Sequence, residues 1–166
     1  MEILIQLCKK YRGKFYQNGI EKSGPYLSLD QTNDYKGIFK YKNELIVVKK
    51  VVHYNPFHIF INVESNTELE FKIQIKTFIN AAKNLFGQGN PTLGRYEFFG
   101  SMKHFSKLKS NQRIIEILEQ NEITIELVNN NKTYLLLKPF HGMTSLIKCE
   151  ELLELLVLIK QEVIFS

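Results

Sequence analysis

The chain has 166 residues and a formal net charge of +5, and 44% of its residues are hydrophobic. This length fits a single domain, residues 1–166, with a sizeable core, and the apolar content excludes a largely disordered chain. No apolar run is long enough to span a bilayer, and the first residues do not resemble a secretory signal. Two cysteines, Cys8 and Cys149, are too few for a disulfide framework and predict free thiols. We therefore expect a cytoplasmic protein without a transmembrane segment.

The positive charge is concentrated in the first two thirds of the chain. Residues 1–110 contain 17 Lys+Arg against 9 Asp+Glu, a net +8, whereas residues 111–166 contain 5 against 8, a net −3. A basic region of this kind could meet phosphates or anionic lipid headgroups. The excess is nearly all lysine and is scattered, however, so it fits a background composition equally well.

The first predicted elements are a helix and a short strand. Apolar residues at helical spacing predict one amphipathic helix over Ile3–Phe15. A glycine-containing loop follows, and Tyr26–Leu29 reads as a short strand before the main sheet.

The centre of the chain predicts an antiparallel meander. Its four runs are rich in β-branched and aromatic residues: Lys36–Tyr41, Glu44–Val52, Phe57–Val63 and Glu68–Ile75. The joints between the runs are short, which favours sequential antiparallel neighbours because a parallel crossover needs a dozen or more residues. The last run alternates without a slip and predicts a buried face of Leu69, Phe71, Ile73 and Ile75, with Glu68, Glu70, Lys72 and Gln74 on the wet face.

The remainder of the chain alternates between helical and strand patterns. The predicted elements are a helix over Thr77–Gly87, a glycine-rich loop over Gly87–Gly94, a strand over Arg95–Gly100, a helix over Gln112–Gln120 capped by Ser110 or Asn111, a hairpin of Ile123–Val128 and Thr133–Lys138, and a closing helix over Glu150–Ile164. The expected fold is therefore α+β: an antiparallel β-meander packed with about four helices, including an N-terminal and a C-terminal helix.

The order of these elements resembles a group of uncharacterised bacterial α+β domains. The resemblance is carried by FKIQIKTFINAAKNLFG, the glycine-rich loop, RYEFFGS, the hairpin and ELLELLVLI. The chain departs from that group at Gly89-Asn90, where a Gly-Asp pair is usual, and at Tyr96–Phe99, which lacks a Phe-Asp pair. The resemblance implies a fold and, since the group has no known activity, no mechanism.

Motifs that would indicate an enzyme are not found in the sequence. There is no phosphate-binding loop, nucleophile elbow, zinc-protease motif or Cys-x-x-Cys pair, so we assign no catalytic, cofactor-binding or metal residues, and an enzyme is the least favoured class. His53 and His58 flank a tight turn and could share a metal ion, but half-exposed strand histidines are the plainer interpretation. Cys8 and Cys149 lie on apolar helical stripes, which indicates buried structural thiols.

The segment Arg95–Lys109 mixes cations and aromatic rings more densely than any other. Single-stranded nucleic acid and anionic membrane surfaces are bound by such mixtures. The candidate anion-binding residues are Arg95, Lys103, Lys107 and Lys109, and the candidate aromatic contacts are Tyr96, Phe99 and His104. In the alternative interpretation the rings anchor the segment to the core and the lysines are only solvated.

The closing helix carries more apolar residues than one buried stripe needs. The roughly 100° stripe that a sheet covers cannot hold all of them, so a surplus face is expected. We expect that face to pair with a second copy through Leu153, Val157 and Leu158. The alternative is that neighbouring elements of the same chain cover both sides of the helix.

These observations favour a non-enzymatic cytosolic domain whose specific function the sequence does not reveal. A protein-interaction or accessory module, with a protein partner or self-association, comes first. Binding of an anionic partner, either nucleic acid or an anionic membrane surface, through residues 95–109 is the alternative.

Overall fold

The computed structural model describes residues 2–18, 20–21, 34–50, 57–63, 70–76, 89–130, 132–141 and 145–164. Over these residues the fold is α+β, as predicted, with one antiparallel sheet and four α-helices packed on one of its faces. The strands are β1 (Lys14–Gln17), β2 (Ile20–Glu21), β3 (Tyr35–Tyr41), β4 (Glu44–Lys50), β5 (Phe57–Val63), β6 (Phe71–Ile75), β7 (Thr92–Leu93), β8 (Tyr96–Gly100), β9 (Ile123–Asn130) and β10 (Lys132–Pro139). The helices are α1 (Glu2–Lys10), α2 (Met102–Ser110), α3 (Gln112–Gln120) and α4 (Leu146–Leu158), and a π-helical turn, Ile159–Ile164, continues α4.

The strand order is β2-β1-β3-β4-β5-β10-β9-β6-β8-β7, with every pair antiparallel. The predicted meander is confirmed for β3, β4 and β5. Lys42 and Asn43, which join β3 to β4, both have positive φ (47° and 67°), as a two-residue hairpin turn requires. The prediction that β6 pairs with β5 is wrong, because the β9–β10 hairpin lies between them.

The hairpin itself was predicted correctly, although its strands are longer than expected. The observed register runs from the Lys132–Asn130 pair to the Pro139–Ile123 pair. A hairpin with two long edges can pair on both sides, so it joins the meander to β6 and makes one continuous sheet. Local turn lengths carry no information about this insertion.

The first helix ends earlier than the sequence indicates. It stops at Lys10, and Phe15, expected on the helical stripe, is instead a buried residue of β1. Arg12 has a φ of 51°, which reverses the chain. A Cβ on Gly13 would lie 2.4 Å from Phe39 Cβ and from the carbonyl oxygen of Ile38, so the absence of a side chain allows this close crossing over β3.

Two of the helices meet at a single capping residue. The backbone N–H of Asn111 closes α2 onto Leu108, and its side chain accepts the N–H of Ile114 at the start of α3. The predicted helix Gln112–Gln120 is thereby confirmed, with Asn111 rather than Ser110 as its cap. The preceding helix α2, whose Ser101 cap accepts the N–H of His104, was not predicted.

The closing helix lies inside the chain's own core. It begins at Leu146, four residues before the predicted start, with Ser145 as its cap. Leu153 and Val157, expected at a dimer interface, are 0% and 1% exposed within the single chain, and Leu158 is half-buried. The alternative interpretation is therefore correct for these side chains: α1, α3 and the sheet surround the helix. The oligomeric state itself stays a prediction.

The alternation predicted for Glu68–Ile75 holds where the structure describes it. Phe71 and Ile73 are buried, Ile75 is half-buried and Glu70 is exposed, whereas Lys72 and Gln74 are half-buried on the opposite face. The predicted strand Tyr26–Leu29 and the predicted helix Thr77–Gly87 lie outside the described residues. None of the described helices is long and apolar enough to cross a membrane.

Candidate functional site

One face of the sheet carries none of the described helices, and we call it the open face. Its orientation is fixed at β3, where a Cβ on Gly37 would lie 2.6 Å from Leu4 Cδ1 and 2.8 Å from Cys8 Sγ of α1. Because side chains alternate along a strand, Lys36 and Ile38, on either side of Gly37, face away from α1. The open face is therefore the face that presents these neighbours of Gly37.

A row of basic side chains crosses the open face. Tyr16 is opposite Lys36 between β1 and β3, Lys36 is opposite Lys49 between β3 and β4, and Lys49 is opposite His58 between β4 and β5. Lys138 of β10 lies near enough to His58 to affect its titration. Neighbouring strands are about 4.8 Å apart, so these groups follow one another closely. We call Lys36, Lys49, His58 and Lys138 the basic row.

Aromatic rings accompany the basic row. The ammonium of Lys36 lies 5.6 Å from the ring centroid of Tyr16, and that of Lys49 lies 5.3 Å from the ring centroid of Phe60. Phe60 also meets Tyr134 edge to face, with 6.3 Å between ring centroids. Cations held beside ring faces are the arrangement that proteins use for phosphates linked to stacked bases.

Two acidic side chains, Glu126 and Glu97, lie at the β6–β9 end of the open face. Glu126 pairs with Lys138 at 2.5 Å and with Lys72 at 4.0 Å. Glu97 is fully buried and accepts a hydrogen bond from the Gln74 amide at 2.5 Å. The charge of Lys138 is thus balanced by its own neighbour.

At the other end of the basic row, no ion pair among the described residues balances the charges of Lys36 and Lys49. No described carboxylate lies within ion-pair distance of Lys36 or Lys49. Like charges directly opposite each other on neighbouring strands are destabilising, so this pair raises the free energy of the folded chain. An anion placed between the two ammonium groups would remove that cost.

His58 has a lowered pKa in the middle of the basic row. Burial is the largest cause, and the charges of Lys138 and Lys49 act in the same direction, whereas Glu126 opposes them. The imidazole is therefore neutral near pH 7. A bound anion would favour its protonated form, because an opposite charge nearby raises the pKa of a base.

A cleft of about 460 Å³ lies at the end of the basic row, beside the start of β3 and the end of β4. Its lining contains three lysines, two tyrosines and one carboxylate: Tyr16, Asp34, Tyr35, Lys36, Ile38, Lys49 and Lys50. This volume lies within the range of about 300–1,000 Å³ that is usual for small-molecule sites. Lys36, Lys49 and Tyr16 reach this concave volume from the open face, whereas Tyr35 and Lys50 belong to the opposite face of the sheet.

The predicted segment Arg95–Lys109 does not form one continuous surface. The guanidinium of Arg95 donates to the carbonyls of Glu119 and Asn121, both at 2.9 Å, and pairs with Glu122 at 3.2 Å. Phe99 lies on the open face beside Lys72, with 6.0 Å between the ammonium and the ring centroid. Arg95 therefore fixes the end of α3, on a different part of the molecule from Phe99.

Tyr96 and His104 do not offer their rings to a ligand in this structure. Tyr96 is 1% exposed, donates its hydroxyl to the carbonyl of Asn121 and accepts the N–H of Ile123. His104 is 6% exposed and packs against Phe71. Their expected role as aromatic contacts is wrong, because both rings belong to the core.

The remaining cations of that segment lie on α2. Lys103 and Lys109 are exposed and Lys107 is half-buried. Desolvation and the nearby charge of Lys103 lower the pKa of Lys107. Anion binding by these lysines stays a prediction, but the rings of Tyr96 and His104 expected beside them are not accessible.

A second cavity of about 280 Å³ lies between the end of α3, the end of β10 and α4. Glu122 connects its polar side chains, since it pairs with Arg95 at 3.2 Å and with the imidazole of His141 at 2.8 Å. Lys148 completes the polar lining, and two large exposed apolar residues, Phe140 and Ile147, adjoin lining residues in sequence.

The two thiols are unsuited to nucleophilic chemistry. Both are buried, as predicted, and burial raises the pKa of Cys8 to about 11 and that of Cys149 to about 12. A thiol rather than a thiolate is therefore present at neutral pH. Within the described ranges, no group of three or more His, Cys, Asp or Glu side chains is placed to hold a metal ion.

No model of a known protein family, no curated protein and no solved structure matches the chain.

Proposed function

We propose that this chain is a non-catalytic domain that binds an anionic partner on the open face. The observation that supports the proposal most is the pair of opposed lysines, Lys36 and Lys49, without a carboxylate partner among the described residues. Such a pair costs free energy in the unbound chain. Binding of phosphate groups would offset that cost and gain charge-assisted hydrogen bonds.

The neighbouring rings favour an extended partner over an isolated ion. Tyr16, Phe60 and Tyr134 are half-buried on the same face as the basic row. A half-buried ring beside a lysine provides an apolar surface and a cation within one contact area, which suits a chain of linked anionic units.

Binding to heparin and to single-stranded nucleic acid over a series of salt concentrations tests this function. The double variant Lys36→Gln/Lys49→Gln should weaken binding and should reduce the magnitude of the log K against log salt slope by about 0.7 for each single-strand phosphate that the protein no longer neutralises. Lys9→Gln/Lys148→Gln removes two exposed lysines elsewhere and is the matched control. Equal reductions of affinity in the two double variants would show that net charge alone drives binding.

A third double variant separates the two basic surfaces. Lys103→Gln/Lys109→Gln removes the exposed charges of α2 and leaves the open face intact. If α2 is the anion-binding surface, this variant loses the salt slope and the Lys36/Lys49 variant keeps it. If the open face is the surface, the two results are reversed.

A protein-interaction module is the second candidate function. It is favoured by Phe140 and Ile147, which are 56% and 71% exposed and adjoin lining residues of the second cavity in sequence. Exposed aromatic and other large apolar side chains are common at contact sites between proteins. Replacing both residues with serine should abolish such binding without affecting the open face.

Self-association remains part of this second proposal. Leu153 and Val157 are buried within the chain, so a dimer would need another surface. Sedimentation at micromolar concentration distinguishes a monomer of 19.5 kDa from a dimer. The Phe140→Ser/Ile147→Ser variant then shows whether any dimer uses these two side chains.

A further inference from the structure

We infer that the 460 Å³ cleft binds one nucleotide unit of a single-stranded RNA, with Tyr16 under the base, the lysines on the phosphate and Asp34 on the ribose. This inference rests on the proposed function, because it names the class of anionic partner that the open face takes. The proposed ligand is single-stranded RNA, and binding to a membrane surface instead is one outcome of the test.

Three lysines line the cleft, and two of them share the open face. Lys36 and Lys49 are opposite each other on the open face, and Lys50 is adjacent in sequence and also lines the cleft. No ion pair within the described residues occupies any of these three ammonium groups. A phosphate has three or four acceptor oxygens, so it can accept from more than one of them.

Tyr16 provides the ring on which a base could stack. It is half-buried, directly opposite Lys36 in the β1–β3 register, and the Lys36 ammonium lies 5.6 Å from its ring centroid. Tyr35 also lines the cleft, but it is 1% exposed and cannot offer a ring face. A base on Tyr16 would therefore carry its phosphate within reach of Lys36.

Asp34 makes the cleft different from a simple cation cluster. Its backbone is held to Asn18 by two hydrogen bonds, since the Asp34 N–H donates to Asn18 Oδ1 at 2.9 Å and the Asn18 N–H donates to the Asp34 carbonyl at 2.8 Å. Its carboxylate forms no ion pair with the three described lysines of the same cleft. An exposed carboxylate would repel phosphate but accepts hydrogen bonds from sugar hydroxyls. The 2′-hydroxyl is the group that distinguishes RNA from DNA.

The test uses the full chain and two fluorescent oligonucleotides of about eight nucleotides, an oligouridylate and the corresponding oligodeoxyuridylate. Fluorescence anisotropy at low salt should show that the ribose form binds at least about fivefold more tightly. Asp34→Ala removes the acceptor and should remove that preference while retaining binding. Equal affinities for the two oligonucleotides, or a preference that survives in Asp34→Ala, would overturn the inference.

The ring that stacks on the base has its own variants. Tyr16→Leu should lower the affinity for both oligonucleotides by at least about fivefold, the lower limit expected when one stacking ring is removed, whereas Tyr16→Phe should retain it. Circular dichroism and the thermal midpoint identify any variant that fails to fold. If folded Tyr16→Leu binds as tightly as the parent chain, the stacking site is not Tyr16 and the inference fails.

The same measurements separate failure of this inference from failure of the proposed function. Binding to heparin or to phosphatidylserine vesicles that depends on Lys36 and Lys49, without binding to either oligonucleotide, overturns the nucleotide site and leaves an anion-binding open face. The absence of binding to every one of these probes at low salt overturns both.

Discussion

Lys36 lies directly opposite Lys49 across the β3–β4 pair, and no described carboxylate lies within ion-pair distance of either ammonium. Elsewhere on the same face Glu126 balances Lys138 at 2.5 Å. Uncompensated charge is therefore localised at β3 and β4, next to the cleft and to Tyr16. An anion that binds the open face should therefore bind at this end of the basic row.

The opposed lysines predict that removing one of them stabilises the unbound chain. Lys36→Gln should raise the free energy of unfolding by about 0.2–1 kcal/mol at low salt, because it removes a cross-strand repulsion. High salt screens the charges and should reduce the gain. Urea titrations at two salt concentrations measure this. Lys40→Gln, on the same face but opposite Leu45, is the control and should show no gain; a decrease of stability in Lys36→Gln would contradict the argument.

The alternation in β6 predicts very different costs for neighbouring residues. Phe71 is 2% exposed and meets Phe98 edge to face, with 5.5 Å between ring centroids. Phe71→Ala should therefore cost about 3–5 kcal/mol, the usual loss for a buried phenylalanine. Lys72→Ala should cost well under about 1 kcal/mol, since its contacts with Phe99 and Glu126 are at the surface. Equal costs in a denaturant titration would mean that the register is wrong.

The position of His58 in the basic row predicts that His58 takes up a proton when an anion binds. Its pKa is lowered by burial first and then by Lys138, so the free chain holds a neutral imidazole at pH 7. A bound anion favours the imidazolium, so affinity should increase as pH falls from about 7.5 to about 5.5. Calorimetric titrations in two buffers of different ionisation enthalpy count the protons. The uptake should disappear in His58→Gln, and uptake that persists in this variant belongs to another group.

The burial of His104 predicts that the free energy of unfolding decreases in mild acid. Its ring is buried, its Nδ1 has no hydrogen-bond partner among the described residues, and burial followed by Lys107 and Lys103 lowers its pKa below the usual 6.5. The unfolded chain takes up a proton near pH 6.5, whereas the folded chain resists protonation until a lower pH. The free energy of unfolding should therefore fall as pH drops through this window. Part of this fall should disappear in His104→Leu, as measured by urea midpoints between about pH 7.5 and about pH 5. An undiminished fall in that variant would contradict the argument.

Much of the fold was predictable because it is encoded in local patterns. Runs of β-branched and aromatic residues with short joints identified β3 to β5, period-two alternation identified β6, and asparagine-rich sequence identified the β9–β10 turn. The insertion of that hairpin between β5 and β6 was not predictable, since it depends on which long edges pair. The early end of α1 depends on the crossing of Gly13 over Ile38 and Phe39, a contact between distant elements.

The candidate site was harder to predict than the fold. In residues 95–109 cations and rings are adjacent in sequence, yet the structure buries Tyr96 and His104, and Arg95 is hydrogen-bonded to the end of α3. The basic row consists of single residues from four strands that meet only through the register. In the sequence, lysines and aromatic residues occupy alternating positions in the meander. This pattern indicates a shared surface only when the strand order and register are known.

The location of the bound anion tests the central claim most directly. Aromatic-ring NMR signals of Tyr16, Phe60 and His58 report on the open face, whereas those of Phe105 and His104 report on α2 and its contacts with the core. On titration with a single-stranded oligonucleotide at low salt, the account predicts saturable shifts in the first group that vanish in Lys36→Gln/Lys49→Gln, with the second group unchanged. Shifts confined to the second group, or shifts in the first group that persist in that double variant, would contradict it.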